Sequence, residues 1–160
     1  MQIRLKTTLT NGPRSVNVQA LHDTGAEVYA FIDHSVADAL GLQRGGAMGY
    51  SGIAGSSVGF KSSITGIRLD DNPSCFLQGN IPVLVGQVTV PNVKILLGEY
   101  FFKDLRLNTG FDDNGNVLIS CRGGQTIAVG QPLPEGTLFI GGAIVLGAAL
   151  LLGGIMALER

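Results

Sequence analysis

Asp23-Thr24-Gly25-Ala26 is the segment of this chain best suited to chemistry. It follows the run Val16-Asn17-Val18-Gln19-Ala20-Leu21 and precedes the apolar run Val28-Tyr29-Ala30-Phe31-Ile32. A carboxylate on a short loop between two strands is held in place by the backbone. Gly25 gives that loop any φ it needs and lets a second backbone approach closely. The Thr24 hydroxyl can bond to neighbouring main chain. A carboxylate held this way can take a proton from water, which is general base catalysis. The alternative is structural: Asp-Thr-Gly also makes an ordinary Asx-type turn.

A longer stretch carries a family resemblance. Val18-Gln19-Ala20-Leu21-His22-Asp23-Thr24-Gly25-Ala26-Glu27 resembles the active-site segment of retropepsin-like aspartic proteases. Roughly 70 residues later, Val93-Lys94-Ile95-Leu96-Leu97-Gly98-Glu99-Tyr100-Phe101-Phe102 is similar to the apolar-apolar-Gly element that opens the C-terminal helix in that family. Tyr50-Ser51-Gly52-Ile53-Ala54-Gly55-Ser56-Ser57-Val58-Gly59 falls where the family has its glycine-rich flap. Together these segments fall within residues 1–129.

The resemblance implies an aspartic endopeptidase with Asp23 as the catalytic residue. Two like charges about 3 Å apart cannot both ionise, so two carboxylates share one proton and titrate as a pair. The chain offers one convincing catalytic Asp, so the second is expected from another copy, in a symmetric homodimer. By the same resemblance Thr24 of each copy locks the two loops together, with Ala26 completing the loop. Gly25, Glu27, Gly52, Ile53, Ala54 and Gly55 are expected at a polypeptide substrate. No cofactor or metal is implied.

The chain also departs from the family pattern. The residue before the Asp is usually apolar, and here it is His22, which either points away from the cleft or tunes its pH profile. Glu27 either lies near substrate backbone or is a solvated charge. Asn108-Thr109-Gly110 echoes a second active-site loop and is read as coincidence. A competing reading is an inactive retropepsin-like dimerisation or peptide-binding module anchored in a membrane, although such a module has no need of Asp23. A third makes the C-terminal tail the centre of an oligomeric membrane assembly.

Around these residues the chain reads as β structure. Ile3 to Leu9 and Ser15 to Leu21 alternate as half-buried strands do, with a turn at Asn11-Gly12-Pro13 between them. Val28 to Ile32 forms a strand. Asp33 to Leu40 reads as a helix, capped by Asp33 at its start and Gly41 at its end. Further strands are expected at Phe60 to Leu69, Pro82 to Val90, Val93 to Leu97, Val117 to Cys121 and Gln125 to Val129. A short helix is expected over Tyr100 to Leu105. The fold class is therefore all-β: a closed acid-protease-like barrel with one or two short helices, plus a C-terminal transmembrane helix.

Composition sets outer limits. The net charge of -1 and the thin spread of charges offer no basic stripe for nucleic acid. The 24 glycines fit short turns between strands. Cys75 and Cys121 lack CxxC spacing and a His cluster, which argues against zinc. A disulfide between them stays open, and free thiols are the reading put ahead of it, because nothing else points to an oxidising compartment.

The last segment differs from the rest. Residues 137–158 run without a charge from Thr137 to Leu158, longer than the ~20 apolar residues that cross a bilayer. They read as a single transmembrane helix rather than a buried soluble one, since no polar stripe interrupts them. Ala143/Gly147 and Ala149/Gly153/Ala157 either mark a close helix-helix contact or reflect the usual small-residue content of membrane helices. Residues 130–136, with Pro132 and Pro134, form a linker between this helix and the domain at 1–129. The start, Met1 to Thr10, has no apolar core of a signal peptide. A single-pass membrane protein with its domain on the cytosolic face is the resulting expectation.

Overall fold

The computed structural model describes residues 3–23, 25–52, 55–122, 124 and 126–128. The linker at 130–136 and the apolar run at 137–158 lie outside them. Among the described residues no helix is long and apolar enough to cross a membrane.

The chain opens with β1 (Arg4–Asn11) and β2 (Arg14–His22), an antiparallel hairpin whose turn uses Gly12 at φ 59°. β3 (Ala30–Asp33) leads into α1 (His34–Leu40). Asp33 caps that helix as the sequence predicts: its carboxylate accepts from the Ser35 amide at 3.1 Å. Gly41 ends it in the left-handed region, where glycine carries no steric penalty. β4 (Ala47–Gly52) and the long β5 (Gly55–Leu69) form a second hairpin. β6 (Phe76–Gly86) returns along β5, β7 (Ile95–Leu97) follows, and α2 (Glu99–Leu105) packs Phe101 and Phe102 inward.

The strand order β1-β2-β7-β3-β6-β5-β4, with β1 also pairing β5, closes the sheet into a barrel and leaves β4 outside the ring. Inside are apolar side chains from all round it, including Leu9, Ile32, Ile64, Ile67, Ile95 and Leu97. A smaller sheet follows in the order β10-β9-β8, from β8 (Asn108–Phe111), β9 (Val117–Ser120) and β10 (Ile127–Ala128). Val117 and Ile119 tie it to the main core.

The structure differs from expectation at the two cysteines and along several strands. Cys75 and Cys121 are not free: they form a disulfide across 46 residues, with Cα atoms 5.4 Å apart. The fold brings together two positions that nothing in their spacing relates. β6 starts at Phe76 rather than Pro82 and ends at Gly86 rather than Val90. Its first residues are mostly exposed, so they lack the alternation that marks a half-buried strand. Val90 and Val93 are buried without joining a ladder. β8 is a strand beyond those expected, because Asn108-Thr109-Gly110-Phe111 is largely exposed and has no apolar period.

Candidate active site

β7 lies between β2 and β3, parallel to the first and antiparallel to the second. This places the Leu96-Leu97-Gly98 element beside the Asp23 loop, which leaves the end of β2. Two segments distant in sequence therefore become one backbone unit. The Asp23 amide donates to the Leu97 carbonyl at 2.9 Å. The Glu99 amide donates to Ala26 at 2.8 Å, the Tyr100 amide to Val28 at 3.2 Å and the Gly98 amide to Tyr29 at 3.1 Å. Helix α2 thus begins by spending its unpaired first amides on the carbonyls of the acidic loop.

Gly98 is the tightest point of that unit. A Cβ there would sit 2.2 Å from the Val28 carbonyl oxygen and 2.6 Å from that of Ala26. Only glycine permits such an approach.

The Asp23 side chain is half-buried, and its Oδ1 accepts from the Gly25 amide at 3.1 Å. The Ala26 amide closes the turn onto the Asp23 carbonyl at 3.2 Å. This is an Asx turn, the structural role weighed against a catalytic one. The same bond fixes the carboxylate's plane, which either role requires. Gly25 and Glu27 are exposed and Ala26 is buried. Thr24 lies outside the described residues.

Below the loop, the His22 ring meets Phe102 of α2 edge-on at 4.1 Å. His22 keeps some exposure as a residue, but burial of the ring lowers its pKa to about 4. It is therefore predominantly neutral above that pH. On the far side of the loop, the Tyr29 hydroxyl donates to Asp104 at 2.7 Å, which raises the Tyr29 pKa, and its ring meets Tyr100 at 5.6 Å. Neither contact is legible from local sequence, since both depend on where α2 docks.

The glycine-rich segment forms the β4–β5 hairpin, paired from Ala47↔Phe60 to Gly52↔Gly55. Gly52 and Gly55 are its last pair. Ile53 and Ala54 between them lie outside the described residues. Asn108 opens β8 opposite Ser120 in the smaller sheet, apart from the Asp23 loop in the topology. Among the described residues no three His, Cys, Asp or Glu side chains cluster in a way that could hold a metal ion.

No family model matches this chain, and no curated protein matches it. Among solved structures it is similar to one described as the crystal structure of the retroviral protease-like domain of Ddi1 from Leishmania major. The identity is 17%, the TM-score is 0.48, and the match covers 86% of this chain and 98% of that one. At that identity no residue role carries over.

Proposed function

We propose that this chain is an aspartic endopeptidase that works as a homodimer, each copy supplying one Asp23. The observation that carries this reading is the stitching of the Asp23 loop to Leu97-Gly98 and the start of α2. The two segments that resemble the retropepsin-like pattern are joined backbone to backbone, with the Asp23 carboxylate at the junction. A rigid backbone mount suits a carboxylate that must meet its partner within a fraction of an ångström.

In the dimer the two carboxylates share one proton. The ionised one takes a proton from a water between them as that water attacks the scissile carbonyl. The protonated one donates to the carbonyl oxygen. The tetrahedral adduct then collapses with protonation of the leaving amine, and no acyl-enzyme forms. Thr24 of each copy braces the two loops, Gly25 and Glu27 border the peptide backbone, and the β4–β5 hairpin closes over it. Residues 137–158 anchor the chain in a bilayer and raise the effective concentration of the two copies in the plane.

The test is peptide cleavage across a pH series by the full chain and by Asp23→Asn, with a pepstatin-type inhibitor in parallel. Activity lost in the variant and blocked by the inhibitor is expected. Cleavage by a folded Asp23→Asn chain would refute the reading.

A further inference from the structure

The β4–β5 hairpin extends beyond the barrel wall. β5 pairs with β6 only from Phe60 onward, so residues 55–59 pair with β4 alone. β4 has no other partner strand among the described residues. A two-stranded ribbon has little stability of its own, and nothing in its ladder sets its angle to the barrel. At the base, the Gly45 amide donates to Lys61 at 2.7 Å and the Lys61 amide to Gly46 at 2.9 Å. These bonds fix where the ribbon leaves the wall and not how it leans.

One described side chain of the ribbon is hydrogen-bonded to the barrel, and it is Tyr50. Its hydroxyl accepts from the Gln87 amide at 3.1 Å, just past the end of β6. Its ring meets Phe31 of β3 edge-on, with centroids 4.8 Å apart. The slot it fills is cut by two glycines. A Cβ on Gly86 would lie 2.6 Å from the Phe31 ring and 2.8 Å from the Tyr50 ring. A Cβ on Gly59 would lie 2.1 Å from the Val85 carbonyl and 3.4 Å from the Tyr50 ring. Strand alternation puts Val58 on the opposite face from Tyr50, and Val58 is 65% exposed. The ribbon therefore has an inner face keyed by Tyr50 and an outer face in solvent. Phe31, the other half of the key, sits on the strand into which the Asp23 loop leads.

We propose that Tyr50 is a positioning residue: its ring in the Gly59/Gly86 slot and its hydroxyl on Gln87 set the lean of the β4–β5 hairpin and so the fit of a peptide beneath its described strands. The second half of that statement rests on the protease reading, and the first does not. The experiment uses Tyr50→Phe and Tyr50→Ala in the full chain. Amide hydrogen exchange is followed by residue, and KM and kcat are measured on a peptide substrate. Tyr50→Phe is expected to speed exchange in residues 47–59 about three- to tenfold, as loss of one hydrogen bond does, and Tyr50→Ala to speed it further. Barrel amides on β1, β2 and β7 stay unchanged in both. KM rises about three- to tenfold in Tyr50→Phe with an unaltered pH profile.

Unchanged hairpin exchange in both variants would overturn the proposal. So would equal acceleration in hairpin and barrel, the mark of a residue that only supports the core. If the wild-type chain cleaves no peptide, the protease reading fails, and the exchange data still decide whether Tyr50 keys the hairpin.

Discussion

In the proposed dimer, Asp23→Asn removes the charge while keeping the shape and so takes away the shared proton. Cleavage should fall by about 10³-fold or more, with the fold unchanged by circular dichroism. His22 makes a separate prediction. An unfolded His takes up a proton near pH 6.5, whereas this one stays neutral down to about 4. Between those values the unfolded chain holds more protons, so stability falls as pH drops through that window and levels off below it. The loss from pH 7 to pH 4.5 should be about 2 to 3 kcal/mol, at roughly 1.4 kcal/mol per pKa unit. His22→Leu should flatten that part of the pH-stability curve in urea titrations. An unchanged slope would mean that the ring is not held neutral by burial.

Among the elements, the junction of β7 and α2 tolerates change least at Gly98. Gly98→Ala forces a Cβ into the carbonyls of Val28 and Ala26. Overpacking of this kind costs about 1 to 3 kcal/mol. Here the Asp23 loop must shift to relieve it, so activity should fall further than stability. Thermal melts and kcat on the same sample separate the two effects. Asp33→Ala should cost about 1 to 2 kcal/mol, because Asp33 both caps α1 and accepts from the Val88 amide at 3.0 Å.

The elements also show what the sequence could reveal. The β1–β2 hairpin and α1 are legible because their signals are local: alternation, a turn at Gly12, caps at Asp33 and Gly41. α2 is legible from the glycine before it and the aromatics inside it. The lower half of β6 and all of β8 carry no apolar period, since most of their residues are exposed and they are held by backbone ladders to β5 and β9 rather than by a buried face. Pro82 sits within β6 opposite Ser63, where local rules favour a break. The site divides in the same way. Asp23 and the Leu96-Leu97-Gly98 element stand out in the sequence, but the bonds joining them do not. Tyr50 reads in the sequence only as the start of the glycine-rich segment, and its role is visible once Gln87, Phe31 and two glycines converge on it.

At the scale of the whole molecule, the Cys75–Cys121 bond ties the start of β6 to the chain just past β9. Both sulfurs are buried. Closing a loop of this size stabilises the folded state by about 4 kcal/mol on the chain-entropy account. A Cys75→Ala/Cys121→Ala chain should therefore lose about 3 to 4 kcal/mol in urea titrations, and exchange should quicken most in residues 108–120. A change under about 1 kcal/mol would mean that the small sheet is held by its core contacts at Val117 and Ile119 alone.

In the proposed dimer the active unit needs one Asp23 from each of two copies. Co-producing wild-type and Asp23→Asn chains in equal amounts and measuring cleavage per total protein tests that requirement. If both carboxylates are required, only dimers of two wild-type chains cut. Activity should then fall to about one quarter of the pure wild type, following the square of the wild-type fraction. A fall to only about one half, linear in that fraction, would mean that each chain acts alone and would contradict the account.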